Sequence, residues 1–177
     1  MNKLFFYNGG KLDMKNTYDI ALFMKLGYDS TNKYNGLETL EIYEDFCNKN
    51  GTTWFSTNAH FSGMAEKRRQ EFLKEIKDGN IVEMYFAVSK GSGGENDIVY
   101  KGEVLDIKTE KEGLLSPDKL LTPEEWIDSE YKIWVKLKNL KPFDGLSAND
   151  FIIASTGNLL SDVITKSQYH FGYIKKK

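Results

Sequence analysis

The sequence predicts an α+β fold, and three observations carry the prediction. Residues 54–88 read as a strand, an amphipathic helix and a second strand in succession. Residues 131–140 alternate, with Tyr131, Ile133, Val135 and Leu137 on one face and Lys132, Trp134, Lys136 and Lys138 on the other. A second helical stripe (Leu37, Leu40, Tyr43, Phe46, Cys47) precedes both.

The 54–88 stretch organises the chain. TTWFST gives the first strand. In GMAEKRRQEFLKEIKDG, Ala65, Phe72, Leu73 and Ile76 share one helical side. Asp78-Gly79 supplies the left-handed stop, and NIVEMYFAV is apolar apart from Glu83. Arg69 lies within the apolar stripe, which places a cation at the core or its rim.

Ahead of this stretch, residues 3–7 predict a strand closed by the turn Asn8-Gly9-Gly10. Asn16 with Asp19 resembles a capping box, so a helix is expected with Ile20, Phe23 and Met24 as its face and Gly27 as its end. Residues 28–36 are a loop. The helix over 37–48 stops at Asn50-Gly51.

Beyond the stretch, Ser89 to Asp97 is Gly-rich. It lacks the GxxxxGK[ST] pattern, so a loop joining antiparallel strands is preferred to a phosphate cradle. A strand over 98–108 follows, then a charged loop over 109–121. A short helix is expected from Thr122-Pro123-Glu124-Glu125, with Trp126 and Ile127 packing. Trp134 among lysines is either a stacking surface or, the preferred reading, a Trp packed under a loop. Phe151–Ala154, Leu159–Ile164 and a closing strand from Ser167 to Ile174 complete the chain.

Composition narrows the function. The 177 residues suit one ordinary domain, aromatics reach 14%, and the net charge of -2 offers no general field for a polyanion. A nucleic-acid contact would therefore need a local basic patch. A single cysteine excludes an internal disulfide and fits a reducing compartment. No apolar run approaches a membrane span, so a cytoplasmic protein without membrane contact is expected. His60, His170 and Cys47 have no zinc-ligand spacing, and neither metal nor cofactor is expected. Short polar side chains leave or enter the strand ends: Ser56, Thr57 and Asn58, then Ser89 and Lys90, then Ser167 and Gln168. Beside Trp54, Phe86 and Tyr169 they would read a base edge while aromatics stack on its faces. Taken singly, they are turn residues and core aromatics.

The order of elements resembles the EVE family of PUA-like domains over residues 52–174. The resemblance rests on Trp54-Phe55-Ser56, Asp78-Gly79-Asn80-Ile81-Val82, Tyr85-Phe86, Lys101-Gly102-Glu103-Val104, YKIWVKL and the closing SQYHFGYI. Ser56-Thr57-Asn58 replace the Lys-Ser/Glu-Pro residues that often follow the family's first strand. The resemblance implies a distorted β-barrel flanked by helices, related to YTH and ASCH domains, with residues 1–51 as an extension packed on it. It implies a non-catalytic reader of a modified or flipped base in DNA or RNA. Trp54, Phe86 and Tyr169 would line the pocket, with Ser56, Asn58, Ser89 and Gln168 as polar groups. Arg68, Arg69, Lys90 and Lys132 would contact phosphate, Arg69 being equally suited to a buried ion pair. A partner nuclease or defence protein would supply cleavage. Two alternatives stand beside it. One is an ASCH-like amidohydrolase of modified nucleosides using Thr57, Lys90 and Glu103; the other is a protein-interaction regulator.

Overall fold

In the computed structural model, which describes residues 4–8, 11–60, 63–166 and 169–177, the chain is α+β with a seven-stranded mixed sheet and three helices. Strands β1 (Leu4–Asn8) and β2 (Lys11–Lys15) form a separate antiparallel pair. The turn expected at Asn8-Gly9-Gly10 falls partly outside the described residues. There follow β3 (Ala21–Leu26), α1 (Gly36–Asn50), β4 (Thr53–Thr57), α2 (Glu66–Lys77), β5 (Val82–Val88), β6 (Asp97–Leu114), β7 (Tyr131–Pro142), β8 (Phe151–Ile153), α3 (Leu160–Val163) and β9 (Phe171–Lys176). The sheet runs β4-β7-β6-β5-β3-β9-β8.

The helix expected around Ile20, Phe23 and Met24 is instead β3, parallel to β5 and antiparallel to β9. Its residues are buried on both faces, Leu22 and Leu26 in one core cluster and Ala21 and Phe23 in the other. A strand covered on both sides reads as a continuous apolar run, and such a run also satisfies helical spacing. Residues 21–26, part of the segment expected to pack on a barrel, therefore form an interior strand of the sheet. Lys25 interrupts the run at 3% exposure. Its ammonium donates to the carbonyls of Ile164 (2.7 Å) and Lys166 (2.9 Å), and burial pushes its pKa down.

Two more expectations change. β6 continues to Leu114 through nearly half of the expected charged loop, with Thr109 and Leu114 in register with Ile133 and Tyr131 of β7. No helix forms at Thr122–Ile127. Thr122 donates its hydroxyl to the Asp118 carbonyl (2.7 Å) and bonds Ser116, so it does not cap the following N–H groups. A 3-10 turn at Lys119–Leu121 and a run of turns carry the chain to Trp126. The expected helices of α1 and α2 form, with Gly51 (φ 85°) and Gly79 (φ 86°) at their ends. α1 also carries an Asn35–Glu38 capping box.

No ladder joins the two outer strands β4 and β8, so the sheet does not close into a barrel. It is nevertheless rolled. Flat strands are about 4.8 Å apart, so β4 and β5, three steps apart, would lie roughly 14 Å from each other. Yet the Phe55 and Phe86 rings meet edge to face at 5.1 Å, and the Thr57 hydroxyl reaches Met24 Sδ on β3 at 3.5 Å. Side chains alone bridge this seam. The larger core cluster fills the roll, with Phe55, Phe72, Phe86, Ile133 and Leu137 among its members. Trp134 is fully buried, and its Nε1 donates to the Leu114 carbonyl at 2.8 Å, as the packing reading expected. Phe86→Ala removes the ring on which Phe55 rests. A loss of about 3–5 kcal/mol is expected, read as a fall in the midpoint of chemical denaturation with an unchanged slope.

Candidate functional site

Where β4 passes β3 without a ladder, a cavity of about 300 Å³ opens at their ends. The end of β3 supplies Met24 to Gly27 and the end of β4 supplies Phe55 to Ala59. Tyr28, Asp29 and Ser30 form one rim, and Trp126 and Tyr131 the other. α1 contributes Thr39 and Tyr43, and His170 enters from the approach to β9. A volume of this size lies at the lower end of small-molecule pockets.

The lining is aromatic in an ordered way. Tyr43 and Trp126 stack at 4.4 Å with planes 7° apart, and Phe55 lies tilted against Tyr43 at 4.8 Å. Tyr28, at 58% exposure, stands at the mouth. Ser56 reaches the cavity at the free edge of β4. Its N–H donates to the Tyr43 hydroxyl (3.2 Å), and its Oγ shares a second hydrogen bond with that group (3.1 Å). Burial pushes the Tyr43 phenol far above its ordinary value, so it stays neutral. Asn58 accepts from the Lys132 N–H through Oδ1 (2.9 Å), an arrangement that directs its amide NH₂ away from this bond.

Asp29 holds the two rims together. Its carboxylate accepts from the Thr31 hydroxyl (2.6 Å), the N–H groups of Thr31 (3.3 Å), Lys33 (2.9 Å) and Tyr34 (2.9 Å), and Trp126 Nε1 (3.3 Å). Across the mouth, Ser30 Oγ and the Tyr131 hydroxyl are 2.6 Å apart. Burial opposes ionisation of Asp29, but the bonds from Thr31, Tyr34 and Lys33 outweigh it and hold the carboxyl below its usual range.

Of the residues expected in a base pocket, Ser56 and Asn58 line this cavity. Trp54 does not. Strand alternation turns it to the opposite face of β4 from Phe55, where it is buried beside Lys136, whose Nζ lies 6.0 Å from its ring. Phe86 lies beneath Phe55, buried in the roll. Ser89 is in the turn after β5, its N–H bound to the Leu26 carbonyl at 2.9 Å. Tyr169 stacks on Phe23 at 5.8 Å, on the side of the smaller core cluster. Gln168 and Ser167 lie outside the described residues.

The expected phosphate contacts do not gather at the mouth either. Arg69 donates through Nε to the Ile107 carbonyl (2.7 Å) and through Nη1 to Glu66 (2.9 Å), a structural role at the rim of the core. Arg68 bonds Glu71 at 3.0 Å and lies over the Tyr173 ring at 4.7 Å. Lys90 is exposed on the loop between β5 and β6. Lys132 alone is next to the site, through its backbone bond to Asn58.

Thr57 lines the cavity, but Lys90 does not, and Glu103 on β6 faces Lys138 on β7 at 3.6 Å. Those three do not converge. Among the described residues no group of three His, Cys, Asp or Glu side chains is placed to hold a metal, and no helix is long and apolar enough to cross a membrane.

The aromatic and rim residues escaped sequence reading for identifiable reasons. In TTWFST both Trp54 and Phe55 are apolar, so alternation alone does not say which one faces inward. Tyr43 read as one of five stripe residues of a packing helix. Asp29 offered a local signal, a short acid followed by Thr31 in a loop, which is the pattern of an Asx turn.

The fold favours ionised Asp29, so its stabilisation is full above about pH 4 and fades as pH falls through its depressed folded pKa. Denaturant melts of wild type and Asp29→Asn should differ most near about pH 7, and the gap should narrow at about pH 3. A gap of constant size would assign the bonds, and not the charge, as the source.

Compared with protein-family models, curated proteins and solved structures, the chain matches none.

Proposed function

We propose that this protein is a non-catalytic reader of a modified or flipped nucleobase, held in the cavity at the β3–β4 seam of an EVE-like, PUA-like rolled sheet. The observation that carries the reading is the joining of aromatic walls and short polar side chains in one cavity. Tyr28 presents its ring at the mouth, backed by the largely buried rings of Tyr43, Phe55, Trp126 and Tyr131, while Ser56, Asn58 and Ser30 offer hydrogen bonds at the edge. A base needs both: faces to stack on and donors or acceptors around its perimeter.

The same arrangement disfavours a hydrolase. Thr57 has a place in the cavity, but its hydroxyl is engaged with Met24 and with the Ala59 N–H, and neither Lys90 nor Glu103 lines the cavity beside it. Cleavage of the nucleic acid would fall to a partner nuclease or defence protein. Cytoplasmic residence would suit such a pairing.

Binding to short DNA and RNA oligonucleotides carrying single modified bases tests the proposal, with salt varied to count phosphate contacts. At least one modified base should outcompete its unmodified form. Trp126→Ala should weaken that binding about tenfold or more, in line with about 1–3 kcal/mol for a stacked base. Both tryptophans are buried, so Trp126→Ala and Trp54→Ala should each lower the melting temperature, but Trp54→Ala should leave the preference for the modified base in place. If no modified base is preferred by wild type, the proposal fails.

A further inference from the structure

We propose that the cavity selects for positive charge, and that its preferred ligand is a planar cation: a nucleobase alkylated on a ring nitrogen so that it carries a fixed charge. This rests on the base-reading above and goes on to name the class of base.

The argument starts from the charges that reach the cavity. Three titratable side chains other than tyrosine belong to lining residues: Lys25, Asp29 and His170. The Lys25 ammonium is not directed into the cavity. Met24 and Leu26 face the roll, while Lys25 points to the other side of β3 and binds the carbonyls of Ile164 and Lys166. Asp29 is ionised and in contact with the cavity's own aromatic wall through Trp126 Nε1. Glu125, the residue before Trp126 in the chain, adds a second negative charge to that segment. Lys33 lies outside the cavity, over the Tyr34 ring at 5.2 Å, and Lys132 adjoins the site through its backbone bond to Asn58.

Ring faces attract cations through their quadrupole, Trp most strongly, and the attraction grows where water is excluded. A carboxylate bound to the indole N–H pushes electron density toward the ring and reinforces that attraction. Tyr28, exposed at the cavity mouth, adds a second ring within reach of a ligand. Ser30, Ser56 and Asn58 keep hydrogen-bonding capacity beyond their bonds to Tyr131, Tyr43 and Lys132, which a quaternary ammonium would not use and a charged base would. The selection also suits a chain of net charge -2, in which a neutral base offers nothing to offset the phosphates it brings.

N1-methyladenosine and N6-methyladenosine test this, being isomers of which only the first carries a positive charge at neutral pH. Calorimetric titration of the intact chain should show the charged isomer binding at least about tenfold tighter. Asp29→Asn keeps a side-chain acceptor and removes the charge; Trp126→Phe keeps a ring and removes the N–H. Each should bring the two affinities to within about threefold, with thermal melts verifying that both variants fold. Equal binding of the isomers to wild type overturns the charge selection and leaves the base reader standing. Failure of both nucleosides and of every modified oligonucleotide overturns both. A trimethyl-lysine peptide that binds tighter than either nucleoside also overturns both, in favour of peptide recognition.

Discussion

The site depends on a sheet that rolls far enough to bring β4 against β3 but does not join them. Backbone ladders hold every neighbouring pair in the seven-stranded order, and β3 and β4 are not such a pair. At this one seam the contacts are side chains: Phe55 on Phe86, and the Thr57 hydroxyl on Met24 Sδ. A ladder here would bring the backbones to about 4.8 Å and leave no room for a ligand. An unpaired strand edge normally invites association with another chain. Here α1 covers it, and the Tyr43 hydroxyl accepts from the Ser56 N–H. One residue thus satisfies the free edge and supplies a wall of the cavity.

The rims are built on a similar economy. The loop between β3 and α1 has little apolar content to fix its shape, and Asp29 fixes it through local hydrogen bonds. The same carboxylate reaches across to Trp126, in a segment that has no regular structure of its own beyond a 3-10 turn. Two loops of different origin in the chain therefore share one anchor. Ser30 and Tyr131 make a second tie between the same parts of the molecule. Movement of either rim must disturb the other.

How much of this was legible in the sequence varies with the physical signal. α1, α2 and β7 are plain because each has a clean period, which in β7 survives the burial of Trp134 on its lysine face. The bridging loop of β5 and β6 followed from its glycines. β3 misled because burial on both faces erases the period-2 alternation, leaving a run that a helix wheel also accepts. The extension of β6 was invisible for the opposite reason. Its outer residues are polar and largely exposed, a two-stranded ribbon beyond the core, and nothing in KTEKEG distinguishes that from a loop. Within the site, Ser56 and Asn58 were found through their place at a strand end. Phe55 was lost to its neighbour Trp54, and Trp126 was assigned to packing in a helix that does not form. Long-range geometry decided each of these, and one sequence does not encode it in a readable pattern.

The position of β3 bears on how the chain acquires its fold. This strand lies between β5 and β9, and Met24 is in register with Phe86 on one side and Phe171 on the other. A ribosome delivers β3 well before β9, with β4 to β8 and their loops in between. The first strand must wait, its apolar residues uncovered on one edge, until β9 has emerged. Closing so long a loop is slow, because its entropy is lost before the pairing is gained. The cavity, framed by the ends of β3 and β4 and by His170, is therefore complete only once β9 has reached β3.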